Sequence, residues 1–152
     1  METGSKSYVN IKSAVIDGRV NKDDISKAVG LIDFLEKNID NNIYVATFLI
    51  RFTEEMTVEL VKCIVCPTAW IPDVYVNPSN NGNLQSSKYK NLDELVPRTN
   101  QEFLEVLKEE NRIAKLGGRN KLRKLIKDGK RTEDELAEQL NITVEEVKAI
   151  LQ

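Results

Sequence analysis

The pattern Thr-x-x-Glu occurs twice in quick succession near the C-terminus, as Thr132 with Glu135 and as Thr143 with Glu146. At a helix start the hydroxyl accepts from one free backbone amide while the carboxylate reaches back to another, so each pattern marks where a helix begins. Starts this close together leave room for one short helix and a tight turn between them. Leu136 and Leu140 lie one turn apart on the first helix, and Val147 with Ile150 and Leu151 repeats the arrangement on the second. Ile142, in the turn, is placed to fill the space between them. Ala137 suits a steep crossing, because two short helices that meet near a turn leave no room for a larger side chain. Asn141 occupies the turn position, and Asn tolerates the left-handed backbone conformation that such a turn needs.

The same reasoning extends upstream. Thr99 with Glu102 is a third capping box, and Phe103, Leu104, Leu107 and Ala114 carry that helix to about Leu116, where Gly117-Gly118 stops it. A second helix over Arg119 to Lys127 buries Leu122, Leu125 and Ile126, and Asp128-Gly129 ends it.

The N-terminal half is read from composition and periodicity. Residues 7–16 are weakly patterned and end at the turn pair Asp17-Gly18. Asn21 is placed to cap an amphipathic helix over Lys22 to Lys37, with Ile25, Ala28, Val29, Ile32 and Leu35 at helical spacing. The run Asn42 to Phe52 is β-branched and aromatic, which favours a buried strand over a buried helix. From Thr53 to Val65 the spacing of Val58, Val61 and Val65 favours a helix, with the second arm of a hairpin as the alternative. Trp70 to Val76, among prolines, reads as extended, with Val74 and Val76 on an edge strand. Pro78 to Asn91 is almost free of apolar residues and reads as a linker or as a surface excursion within one domain. The expected fold class is α+β, predominantly helical. A mixed N-terminal domain (1–78) for partner binding or dimerisation is joined by a linker or long loop (79–95) to an all-α C-terminal module (96–152).

The spacing from Lys121 to Leu151 resembles the helix-turn-helix signature of bacterial regulators: a small residue, a turn residue four positions on, an apolar residue, then a hydroxyl cap. It is similar to the linker-region helix-turn-helix of sigma-70-type factors and to that of small repressors, with Asn141 where Gly is usual. The resemblance covers about a fifth of the chain and implies a sequence-specific regulator of transcription that binds double-stranded DNA. In such units the second helix enters the major groove, which here offers Thr143, Val144, Glu145 and Lys148. Glu accepts from cytosine N4 and Val contacts a thymine methyl. Phosphate-neutralising charge comes from the preceding helix and loop: Arg119, Lys121, Arg123, Lys124, Lys130 and Arg131, with Lys127. A homodimer, with the helix Thr99 to Leu116 as its contact, and a protein partner such as RNA polymerase are admitted as further partners. The alternative function is a docking adaptor or inhibitor, using the acidic face of Glu133, Asp134, Glu138, Glu145 and Glu146.

Charge segregation supports either reading better than net charge does. The chain carries a formal −2, yet between Lys115 and Arg131 only Asp128 opposes eight cations, after which the sign reverses. Ordinary solvated faces that pair with one another are the plainer alternative, but surface pairs contribute under about 1 kcal/mol and would not explain the clustering by stability. Catalysis is not expected: His is absent, and no phosphate loop or nucleophile motif occurs. Asp17-Gly18-Arg19 matches only a fragment of a calcium loop. Cys63 and Cys66 have no further Cys or His with which to build a zinc site, so both are expected to act as small buried hydrophobes, and no cofactor or metal is anticipated. No apolar run approaches the roughly 20 residues of a membrane span. Met1 to Ser7 is polar, so a cytoplasmic location is expected. The abundance of Asn and Lys in a small chain leans towards a phage- or plasmid-encoded protein.

Overall fold

A computed structural model describes residues 4–16, 18, 22–79 and 82–152. The turn expected at Asp17 and the cap expected at Asn21 lie outside the described residues. In chain order the elements are β1 (Ser7–Val15), β2 (Asp23–Lys27), α1 (Ala28–Lys37), β3 (Asn42–Phe52), β4 (Val58–Pro67), β5 (Tyr75–Asn77) and β6 (Asn83–Ser86). Four helices follow: α2 (Asn100–Lys115), α3 (Arg119–Lys127), α4 (Glu133–Leu140) and α5 (Val144–Leu151). Short 3-10 turns lie at Thr68–Trp70 and Leu92–Glu94.

The strands form two three-stranded sheets. In the larger, ordered β1-β3-β4, β1 runs parallel to β3 and β3 is antiparallel to β4. In the smaller, ordered β2-β6-β5, all pairs are antiparallel. The fold is α+β, but the expectation that it is predominantly helical is overturned: helix takes 40% and strand 29% of it. Three segments before residue 70 contribute to the difference. Residues 7–15 form a strand whose alternation of Val9, Ile11 and Val15 with Asn10 and Lys12 is a period-two signal. The helix expected from Lys22 begins only at Ala28, because residues 23–27 pair with β6 instead, and Val29 faces solvent. Residues 58–67 form the second arm of a hairpin rather than a helix. The register shifts where Leu49 pairs with Lys62 and Ile50 with Leu60. The unpaired Val61 is a bulge, and the extra residue breaks the alternation and produces the helix-like spacing of Val58, Val61 and Val65.

The stretch expected as a linker is more than a connector. Residues 83–86 are the central strand of the smaller sheet, and Leu84 and Tyr89 are buried. Tyr89 donates its phenolic proton to Asp23 at 2.6 Å, and Lys90 pairs with the same carboxylate at 2.5 Å.

Buried side chains fall into two clusters. One joins α1 (Ala28, Leu31, Leu35), β3 (Ile43, Val45), Cys66, Leu84 and Tyr89 to Phe103, Leu104 and Leu107 of α2. The other gathers Ile113, Leu122, Leu136, Ala137, Leu140, Val147 and Ile150, with Ile142 packed against it. α2 serves both, Ala114 belonging to the first and its neighbour Ile113 to the second. The cysteines divide as well: Cys66 is buried and Cys63 exposed, both free. Three residues apart on a strand, their side chains leave opposite faces, which corrects the expectation that both are buried and keeps the thiols apart. Among the described residues no helix is long and apolar enough to cross a membrane.

Candidate nucleic-acid interface

The C-terminal helices owe their positions to their ends. Thr99, Thr132 and Thr143 each accept from the amide three residues on, and Glu102, Glu135 and Glu146 each reach back to the capping residue's amide. The amide of Thr143 donates to the Glu146 carboxylate at 2.7 Å. This backbone hydrogen bond, with that of the Thr143 hydroxyl, holds the Glu146 carboxyl below its ordinary value. Asn141 adopts the left-handed conformation (φ 55°, ψ 48°), and the following Ile142 amide closes on the Ala137 carbonyl at 3.0 Å. Between α2 and α3 the chain turns on Gly117 and Gly118, both at positive φ, and a Cβ on Gly118 would meet the Pro78 ring at 3.0 Å. Glycine is required there on both counts.

This framework sorts the expected contact residues into two groups. Arg119 is taken into the structure. Its guanidinium forms a forked pair with Glu110, whose side chain is only 8% exposed. That hydrogen bonding raises the Arg119 pKa further above its ordinary value. Arg123 is tied down as well, with Nε donating to the Leu151 carbonyl at 2.7 Å and Nη1 to Asn120 at 3.1 Å. A cation at a helix C-terminus is favourably placed, so Arg123 fastens α3 to the end of α5. Lys130 lies 3.8 Å from Asp128. By contrast Lys121, Lys124, Lys127 and Arg131 are exposed and make no ion pair among the described residues. Lys121 and Lys124 are about one turn apart on the exposed side of α3, so they form a cationic ridge that continues through Lys127 towards Arg131.

The first turn of α5 offers less than expected. The Thr143 hydroxyl is occupied by Glu146, donating to its carboxylate at 2.9 Å, and Val144 packs partly buried against the second cluster. Lys148 pairs with Glu133 of α4 at 3.6 Å. Glu145 is exposed and makes no ion pair among the described residues, and the same holds for Asp134 and Glu138 on α4. Beside the ridge, a depression of about 430 Å³ opens between β5 and the start of α3, lined by Asn77, Ser79, Asn120 and Arg123 among others. Sequence reasoning missed the role of Glu110, because its partner is reached only after the chain reverses at Gly117-Gly118.

Among the described residues no group of three or more His, Cys, Asp or Glu is placed to hold a metal ion. No protein-family model and no curated protein matches the chain.

Proposed function

We propose that the C-terminal helices bind duplex DNA, chiefly through its phosphate backbone, and that the protein acts as a small DNA-binding regulator. The observation that carries this reading is the ridge of Lys121, Lys124, Lys127 and Arg131, four exposed cations with no carboxylate partner among the described residues, in a chain of net negative charge. Exposed ion pairs stabilise a fold by at most about 1 kcal/mol, so a ridge kept free of them is better understood as a surface for an external polyanion. Sequence reading is narrower than the resemblance implies. With Thr143 and Val144 engaged internally, Glu145 and a Lys148 released from Glu133 are the side chains left to reach base edges, and phosphate contacts dominate.

The test is fluorescence anisotropy of a labelled duplex at rising salt. Four phosphate contacts predict an affinity loss of about a hundredfold between roughly 50 and 200 mM salt. Replacing Lys121, Lys124 and Lys127 together by Ala is expected to weaken binding to every sequence alike and to flatten the salt slope by about three units. Unchanged affinity in that variant would remove the reading. The exposed acidic face of Asp134, Glu138 and Glu145 supports a second one, docking onto a basic protein partner such as a polymerase subunit. In that case Glu138→Lys with Glu145→Lys abolishes capture of the partner while the lysine triple variant retains it.

A further inference from the structure

The larger sheet carries apolar residues on both faces. In the observed register, residues of β1, β3 and β4 that lie side by side share a face. The inward face packs Ile43, Val45 and Cys66 into the first cluster. It also carries every charged residue of the three strands: Lys12, Arg51, Glu59 and Lys62. The outward face has no charge at any position. Its large side chains include Ile11 (68% exposed), Val15, Phe48, Phe52 (60%), Leu60 (58%) and Val65 (57%), and among the described residues no element covers them. A sheet with one wet face normally puts its polar residues there; here the uncovered face is the one without charge.

We infer that this outward face is the contact between two copies of the chain, packed sheet against sheet about a two-fold axis. Size is the first argument. Nine paired residues along each strand and three strands across give a face of about 30 by 14 Å, so two copies remove on the order of 1,000 Å² from water, the area a specific interface needs. A continuous apolar patch of this extent is at or above what monomers ordinarily expose. Charge is the second: an uncharged surface, as this one is, can face its own copy in any register without like-charge repulsion. Two twisted sheets of this kind stack about 10 Å apart with strands crossing near −30°. The expected contact through α2 is replaced by this one, since Phe103, Leu104, Leu107 and Ile113 are already buried within the chain. The inference stands apart from duplex binding, because the state of association is measured without DNA.

Sedimentation equilibrium on the full chain tests it, with Cys63, which lies beside Phe48 on this face, as an internal probe. The wild type is expected at twice the single-chain mass of 17.3 kDa, with Cys63 increasingly shielded from maleimide as protein concentration rises. Ile11→Lys and Val65→Lys, at positions already open to solvent in the single chain, are each expected to restore the monomer mass and Cys63 labelling with an unchanged far-UV spectrum. The inference is overturned by a wild type that remains monomeric at about 100 µM. A dimer in which Cys63 stays reactive, or one that survives both substitutions, overturns it equally. So does a monomer that co-sediments with phosphatidylcholine vesicles, which would assign the face to a lipid surface.

Discussion

Arg119 and Lys121 stand two positions apart on α3 and have opposite fates. Arg119 neutralises the buried Glu110, whereas Lys121 faces solvent with no ion-pair partner among the described residues. Arg119→Ala leaves a carboxylate inside the protein with nothing to pair with, and is expected to cost about 2–3 kcal/mol. Lys121→Ala changes stability by less than about 0.5 kcal/mol. Urea midpoints separate the two, and a small effect at Arg119 would return that residue to the binding surface. Asp23 makes a second residue-scale prediction. Burial works to raise its carboxyl, but hydrogen bonds from Lys90 and Tyr89 outweigh this and hold it below the ordinary value. The same contact acts in reverse on Tyr89, whose phenol is pushed upward by burial first and by the Asp23 carboxylate second. A folded-state pKa below the unfolded one contributes stability that is complete above about pH 4 and is lost as pH falls through the folded value. The gap in melting temperature between wild type and Asp23→Asn should therefore be widest near neutrality and close in acid. A gap that widened in acid would contradict the assignment.

At the scale of elements, the C-terminal helices are short enough to depend on their caps. α4 and α5 have eight residues each, too few for a helix to persist in water by itself. Thr143→Ala removes the hydroxyl that accepts from the Glu146 amide and is expected to cost about 1 kcal/mol. It should also speed hydrogen exchange at Val147 and Ile150 while leaving α1 unchanged. These helices were legible in the sequence because each capping box closes across three residues, so spacing alone reveals it. The strands were not. β1 pairs with β3 across some 35 positions, and the Val61 bulge gave β4 a helical-looking period. Residues 23–27 became β2 only because a partner strand at 83–86 reaches them. The candidate site divides in the same way. Exposure of Lys121 and Lys124 beside the buried stripe of Leu122 follows from helical period, whereas the capture of Arg119 by Glu110 and of Arg123 by Leu151 depends on contacts between helices.

For the whole molecule, α2 is the joint. Phe103, Leu104 and Leu107 belong to the first cluster and Ile113, two turns further on, to the second, so neither cluster can open without loosening the same helix. Fluorescence of Trp70, the single tryptophan, reports the strand-rich part, and far-UV circular dichroism reports the helices. The two are expected to show one coincident thermal transition. Separate midpoints would mean that the clusters unfold as independent units.

Local chemistry determined where the C-terminal helices start and stop, and which of their faces are apolar, because those hydrogen bonds and repeats fall within one or two turns of chain. Tertiary structure decided the pairing of six strands, the burial of Glu110 with Arg119, and the outward turn of the apolar face of the larger sheet. In each of these the partner lies beyond the turn or strand that a residue belongs to. Whether an apolar side chain ends inside or outside is then set by which neighbour arrives to cover it.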